Sequence, residues 1–283
     1  MKANEKVSQY FYNIFTMLAE KADLNVLIGG EDFTYDEYRD WYISIFGKDN
    51  FYWNKKPLYI NGIDGIKFSF STGETKLVII IDDYRESNNF GEKFVIKIPF
   101  SDKRYDYCLK EEEITEYILD NDYYNPLKKM FALCYSAFTF FGRKIYLMER
   151  VTTDEDNCKG ISKLISKDKE RFRKRGYSEQ EIEDYINSRS NYYYSSGSEV
   201  TMDIIRAYCL EEELDILSDF ICIYNINDVH RGNIGFIEDN PVIIDYSGYY
   251  ENEYDSSTYN SSEDSDASIV FLPLIKFKES HNE

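Results

Sequence analysis

A segment late in the chain, Asp228-Val-His230-Arg-Gly-Asn233, is followed by Asp245-Tyr-Ser-Gly248. These residue types suit one chemistry. Phosphoryl transfer needs a group that orients or deprotonates the nucleophile, and oxygen ligands for Mg2+. Asp228 can serve as the base. Asn233 offers a neutral amide oxygen and Asp245 a charged carboxylate, a pair suited to a cation that bridges phosphate oxygens. Asp and Asn are also common in ordinary turns, and a D-x-x-x-x-N spacing alone says little. What narrows the reading is the order of the context: a helix, the loop, a hairpin, then two apolar residues and D-x-x-G. His230 lies inside this loop. It reads as a packing hydrogen bonder rather than a proton carrier, because a tautomer-dependent role needs a partner.

The elements that must position these residues follow from periodicity. Val7, Tyr10, Phe11, Ile14, Phe15 and Leu18 recur at helical spacing and predict an amphipathic helix over residues 4–22. A second helix is expected over Tyr35–Phe46. Both precede the chemistry and read as an added cap over residues 1–60. Three antiparallel strands are then expected: Gly65–Ser71, a turn at Thr72-Gly73-Glu74, Lys76–Asp82, a polar loop, and Lys93–Phe100. Residues 108–119 read as a helix with Ile114, Tyr117 and Ile118 on its buried face. Met130–Phe140 and Lys144–Val151 read as two further strands. Residues 158–190 are charged and helical, with Ser178 and Glu181 forming a capping box. A long helix is expected over Met202–Ile223. A loop from Asn225 to Asn233 leads into a hairpin, Ile234–Asp245, interrupted at Asn240-Pro241. Tyr249–Ser268 carries six acids and no base and reads as a mobile acidic segment.

Together these features resemble the protein-kinase-like superfamily, nearest the aminoglycoside and choline kinase type with its D-x-H-x-x-N loop. Small bacterial and bacteriophage kinase-like proteins are similar. The resemblance covers about Phe68–Gly248 and implies an α+β, bilobal protein-kinase-like fold. Its N-lobe, residues 61–150, would be an antiparallel sheet. Its C-lobe, residues 151–283, would be reduced and helical. ATP and Mg2+ are the implied cofactors, with a protein or small molecule as acceptor. Phe94-Val-Ile-Lys97-Ile98 resembles the family's V-A-I-K strand, whose lysine holds the α and β phosphates. The family pairs that lysine with a glutamate on the next helix; Glu111, Glu112, Glu113 and Glu116 compete, and Glu113 is chosen because it borders the apolar face. Thr72 and Gly73 fall where the family has its phosphate-binding glycine loop. Met148, Glu149 and Arg150 fall at its adenine-bordering hinge. Asp228, Lys97, Asn233 and Asp245 take the catalytic positions, with Asn233 and Asp245 on the metal.

The departures are specific. The glycine loop has one glycine instead of three, and the residues after Asp245 show no activation segment or A-P-E motif. The resemblance therefore implies either a phosphotransferase or a nucleotide-binding pseudokinase acting as a regulatory or inhibitory binding protein, phage-encoded and directed at a host factor.

Bulk properties set the outer bounds. The formal charge is −19 over 283 residues, which repels nucleic-acid phosphates and argues against nucleic-acid binding. An acidic nucleic-acid-mimic decoy is a weaker reading of the same charge. Five cysteines, widely spaced and without a CxxC, read as reduced thiols. With His230 and His281 as the only histidines, a multi-histidine metal site is excluded. No long apolar run predicts a membrane span, and a cytoplasmic location is expected.

Overall fold

The computed structural model describes residues 2–29, 32–52, 57–73, 75–85, 90–101, 107–153, 158–195 and 197–247. The acidic segment 249–268, the residues after it, Glu74 and Gly248 lie outside the described residues. The chain is mixed α and β and divides into two compact units: Met1–Tyr117 with Leu133–Arg150, and Ile118–Ala132 with Val151–Glu283.

The first unit is built on a six-stranded antiparallel sheet. Its strands are β1 (Leu58–Tyr59), β2 (Ile66–Thr72), β3 (Lys76–Asp83), β4 (Phe94–Pro99), β5 (Cys134–Phe140) and β6 (Arg143–Glu149), in the order β1-β2-β3-β4-β6-β5. Strand alternation divides its side chains between two faces. The row Phe70–Ile79–Ile96–Leu147 is in register across four strands and belongs to the main apolar core. The adjacent row, Ser71–Val78–Lys97–Tyr146, points the other way.

Four helices feed that apolar core: α1 (Glu5–Lys21), α2 (Leu24–Ile28), α3 (Tyr35–Phe46) and α4 (Lys48–Tyr52). Asn4 caps α1 by accepting the Lys6 N–H at 3.0 Å, and Phe11, Ile14, Phe15 and Leu18 are buried along one stripe. Thr34 and Glu37 form a reciprocal capping box on α3. Trp41 is buried there, and its indole N–H donates to the Ala22 carbonyl at 2.9 Å. The helices expected as an added cap thus share one core with the sheet.

Buried Asp83 ties α1 to the end of β3. It accepts from the Tyr10 hydroxyl at 2.9 Å and from the Arg85 guanidinium at 2.9 Å. Burial pushes its carboxyl up, but the hydrogen bonds from Arg85 and Tyr10 outweigh that and hold it below the usual carboxylate range. A depressed folded pKa stabilises above the unfolded value and is lost as pH falls through the folded one. Asp83→Asn should therefore melt lower than the parent at pH 7, and the gap should close as melting is followed into acid below about pH 4.

The opposite face of the sheet meets α5 (Tyr107–Asp120). The Thr115 hydroxyl accepts the Cys134 N–H at 3.0 Å, and Glu112 accepts the Ser136 N–H at 3.3 Å. Ile114 and Ile118 are buried as expected, but Tyr117 is 54% exposed. With Tyr107 and Ile114, the buried positions are Cys108, Glu111, Glu112, Thr115 and Ile118, a helical spacing carried partly by polar residues.

The second unit is mainly helical: α6 (Lys159–Lys174), α7 (Glu179–Ser188), α8 (Ser190–Tyr193), α9 (Ser198–Arg206) and α10 (Glu211–Ile223). The single helix expected over Met202–Ile223 is two. Leu210 is extended, with φ −77° and ψ 157°, and its N–H donates to Glu213 at 2.9 Å, restarting the chain as α10. The break lets Ile204 and Ile205 on one side, and Leu214, Leu217 and Phe220 on the other, all be buried. The capping box of Ser178 and Glu181 is present on α7. Ser178→Ala should cost about 1 kcal/mol in denaturant unfolding, the usual value of an N-cap.

A small antiparallel sheet completes this unit: β7 (Thr152–Thr153), β8 (Ile234–Ile237) and β9 (Asn240–Ile243), in that order. Asn240 and Pro241 lie within β9 rather than interrupting the hairpin; Ile237 pairs with Asn240 and Phe236 with Pro241. The turn falls at Glu238-Asp239, where Glu238 takes φ 55°. Residues 130–132, expected as strand, instead run beside β9: Met130 accepts the Ile243 N–H at 2.8 Å, and the Ala132 N–H donates to Ile243 at 3.0 Å.

Candidate functional site

In the first unit the expected lysine is held by a buried glutamate. Lys97 Nζ donates to both carboxylate oxygens of Glu111, at 2.8 and 2.7 Å, and to the Met148 sulfur at 3.4 Å. Lys97 and Glu111 are 3% and 0% exposed. The partner is Glu111, not Glu113, which is exposed. The apolar pattern of α5 made Glu113 look adjacent to the buried face. Its true stripe, spaced by three and four residues from Cys108 through Glu111 to Thr115, was legible only if acids were allowed inside. A second lysine, not anticipated, joins the pair: Lys76 Nζ reaches Glu111 Oε1 at 2.9 Å and is 3% exposed.

The turn between β2 and β3 has less to offer a phosphate than its position suggested. The Gly73 N–H donates to the Lys76 carbonyl at 3.2 Å, closing the turn. Thr72 stands in register with Leu77, so its side chain lies on the α1–α4 face of the sheet, opposite Lys97.

The segment expected at a hinge is strongly tethered. Met148 is buried on the Lys97 face. The Glu149 carboxylate accepts the Leu133 N–H at 2.9 Å. Burial raises that carboxyl above its usual range, with the Leu133 bond opposing. Arg150 turns to the sheet, pairing with Asp82 at 2.8 Å and donating to the Gly91 carbonyl at 2.9 Å. The side chains of Glu149 and Arg150 thus hold the strand ends, and their backbone N–H groups donate to the Leu133 and Lys93 carbonyls.

In the second unit, buried Ile226 and Val229 anchor the loop after α10. Asp228 sits between them, its side chain 36% exposed. The Asn233 amide nitrogen donates to the Asp228 carbonyl at 2.9 Å and to its carboxylate at 3.1 Å. The Gly232 N–H donates to His230 Nδ1 at 3.0 Å, which leaves the imidazole proton on Nε2 when the ring is neutral. That nitrogen is 3.6 Å from Asp228 Oδ1. That distance is too long for a hydrogen bond, so His230 orders the loop through the Gly232 N–H. Gly232 gives it room, since a Cβ there would lie 2.8 Å from the imidazole carbon Cε1.

The hairpin closes the arrangement. Ile234 pairs with Ile243, and the Ile244 N–H donates to the Asn233 carbonyl at 3.0 Å. Asn233 and Asp245 thus both lie at the open end of β8–β9, away from the turn. Ser247 donates to Asp245 Oδ1 at 3.3 Å. Tyr246 between them is buried, its hydroxyl donating to the Ala132 carbonyl at 2.8 Å and its ring edge-on to Phe131. This anchoring fixes the backbone on which Asp245 is carried.

The donor chemistry fits Mg2+. With its amide nitrogen turned to Asp228, Asn233 has its oxygen left for a cation, an orientation set by that hydrogen bond. Asp245 adds a carboxylate, and neither residue brings sulfur or imidazole. Among the described residues no group of three or more His, Cys, Asp or Glu gathers into a metal site. Two side-chain oxygens completed by phosphate and water are the usual Mg2+ arrangement. The cysteines are free thiols, with Cys108 and Cys134 buried.

Comparison of the chain with protein-family models, curated proteins and solved structures finds no match. No helix among the described residues is long and apolar enough to cross a membrane.

Proposed function

We propose that the chain is a kinase-like protein that binds Mg-ATP and transfers its γ-phosphate to a protein or small-molecule acceptor. The observation that carries this reading is the buried strand-lysine to helix-glutamate pair, Lys97 and Glu111, at 2.7 Å. An ammonium fixed inside a sheet by a helix carboxylate is an expensive arrangement for stability alone, and it suits a group that must present positive charge to phosphate. The Asp228–Asn233 loop supports the reading from the other unit. Asp228 would accept the acceptor's proton, and Asn233 and Asp245 would hold the cation. Mg2+ bound there would neutralise phosphate charge as the leaving group departs.

A nucleotide-binding pseudokinase that works as a regulatory or inhibitory partner is the second reading. It is favoured by the Gly73 amide, which is committed to the Lys76 carbonyl instead of a phosphate. The first test is binding. Mg-ATP at a hundredfold excess over its Kd should stabilise the protein by about 2.7 kcal/mol, read as a rise in melting temperature. No rise at millimolar Mg-ATP would remove both readings and leave the acidic decoy.

A further inference from the structure

We infer that Lys76 is a second phosphate-binding lysine, sharing with Lys97 the anion contact of the proposed nucleotide site. The inference rests on the nucleotide reading and deepens it.

Three observations carry it. First, both lysines lie on the same face of the sheet. Val78 pairs with Lys97 and Lys76 with Pro99, so Lys76, two residues from Val78, shares Val78's face and stands diagonally across from Lys97. Second, the two ammonium groups converge on one atom, Glu111 Oε1, at 2.9 and 2.8 Å. Two donors sharing one acceptor at such distances are no more than about 6 Å apart. A phosphoryl group, with oxygens pointing in several directions, can bridge that gap. A phosphate oxygen that approaches Lys97 Nζ from the Lys76 side comes within a short side-chain adjustment of Lys76 Nζ. Third, Lys76 opens β3 directly after the Gly73 turn, whose Gly73 N–H is occupied by the Lys76 carbonyl. The Gly73 amide that a glycine-rich loop would offer to phosphate is thus taken, and the side chain of the residue that takes it supplies a cation in its place.

Glu111 would hold both ammonium groups in position and share them with the incoming phosphate. Lysine suits this role, since a compact ammonium with rotatable donors can turn from one oxygen to another.

The test is equilibrium binding of Mg-ATP and of adenosine to the full chain, in the parent and in Lys76→Met, Lys97→Met, the double variant and Lys76→Arg. A lost charge-assisted hydrogen bond should weaken ATP by about tenfold or more in each single Met variant. The double variant should be weaker than either. Adenosine, which has no phosphate, should bind all of them equally, and Lys76→Arg should retain more ATP affinity than Lys76→Met. If Lys76→Met binds ATP as the parent does while Lys97→Met fails, Lys76 only supports Glu111 and the inference is overturned. Parallel loss of ATP and adenosine in Lys76→Met overturns it too, since the defect is then structural. If the parent itself binds neither, the nucleotide reading has failed and this inference goes with it, a result distinct from the other two. Should Lys76→Met not fold, Lys76→Gln carries the same comparison.

Discussion

Glu111→Ala should destabilise the first unit by about 3–5 kcal/mol, the cost of removing one partner from a buried ion pair. The carboxylate is fully buried and holds two lysines that are themselves 3% exposed. Its removal takes the shared carboxylate away from two ammonium groups that are almost fully buried. Desolvation, more than the lost attraction, is what makes the effect large. Glu113→Ala, two positions away but exposed, should stay within about 0.5 kcal/mol of the parent. Denaturant midpoints of the two variants, measured side by side, decide whether Glu111 is the partner. A sharper version separates stability from function. Replacing the three charges together, as Lys76→Met, Glu111→Leu and Lys97→Met, removes the buried cluster as a unit, and such substitutions are often neutral or stabilising. That triple variant should fold at least as well as Glu111→Ala and still fail to bind Mg-ATP. Retained ATP binding would show that the buried charges serve the fold alone.

Asp228→Asn should reduce γ-phosphate transfer by about 10²–10⁴, the range for loss of a general base, and leave Mg-ATP stabilisation in place. The loop explains why the two effects should separate. Asp228 receives the Asn233 amide and faces His230, and asparagine keeps the size and much of the hydrogen bonding that orders the loop. Asp245→Asn should do the reverse: it removes the one charged oxygen donor of the proposed cation pair, so the melting rise with Mg-ATP should shrink. The two are read by transfer from γ-labelled ATP and by melting with and without nucleotide. Transfer that survives Asp228→Asn would exclude it as the base. Binding by the parent without any transfer would favour the pseudokinase reading, for which the closed Gly73 turn is the structural argument.

How much of this was legible beforehand depends on how local each feature is. The strands β2, β3 and β4 follow their alternation and their turns within a residue or two. Helix α3 carries its own start signal in Thr34 and Glu37, and α7 in Ser178 and Glu181. The loop and hairpin from Asn225 to Asp245 are likewise a short, self-contained run, so the grouping of Asp228, Asn233 and Asp245 follows from their spacing. The failures are non-local. The apolar positions of Met202–Ile223 fit one helix, but burying both ends required a restart at Leu210. Asn240-Pro241 looked like a breaker, yet the turn went to Glu238-Asp239 and proline found a place in β9.

The lysine at 97 is the clearest case of the division. Its place in a strand between apolar neighbours could be read from alternation alone, because strand geometry is set residue by residue. The sequence by itself also determined that a glutamate-rich helix would follow. Which glutamate would be used was decided only when α5 settled on the sheet through Glu112 and Thr115, because that packing sets the helix rotation and brings Glu111 to the lysines. The arrival of Lys76 at the same oxygen was decided the same way. It depends on the register of β3 against β4 and on the seat of α5, contacts between residues 14 and 35 positions apart, and no local pattern encodes them.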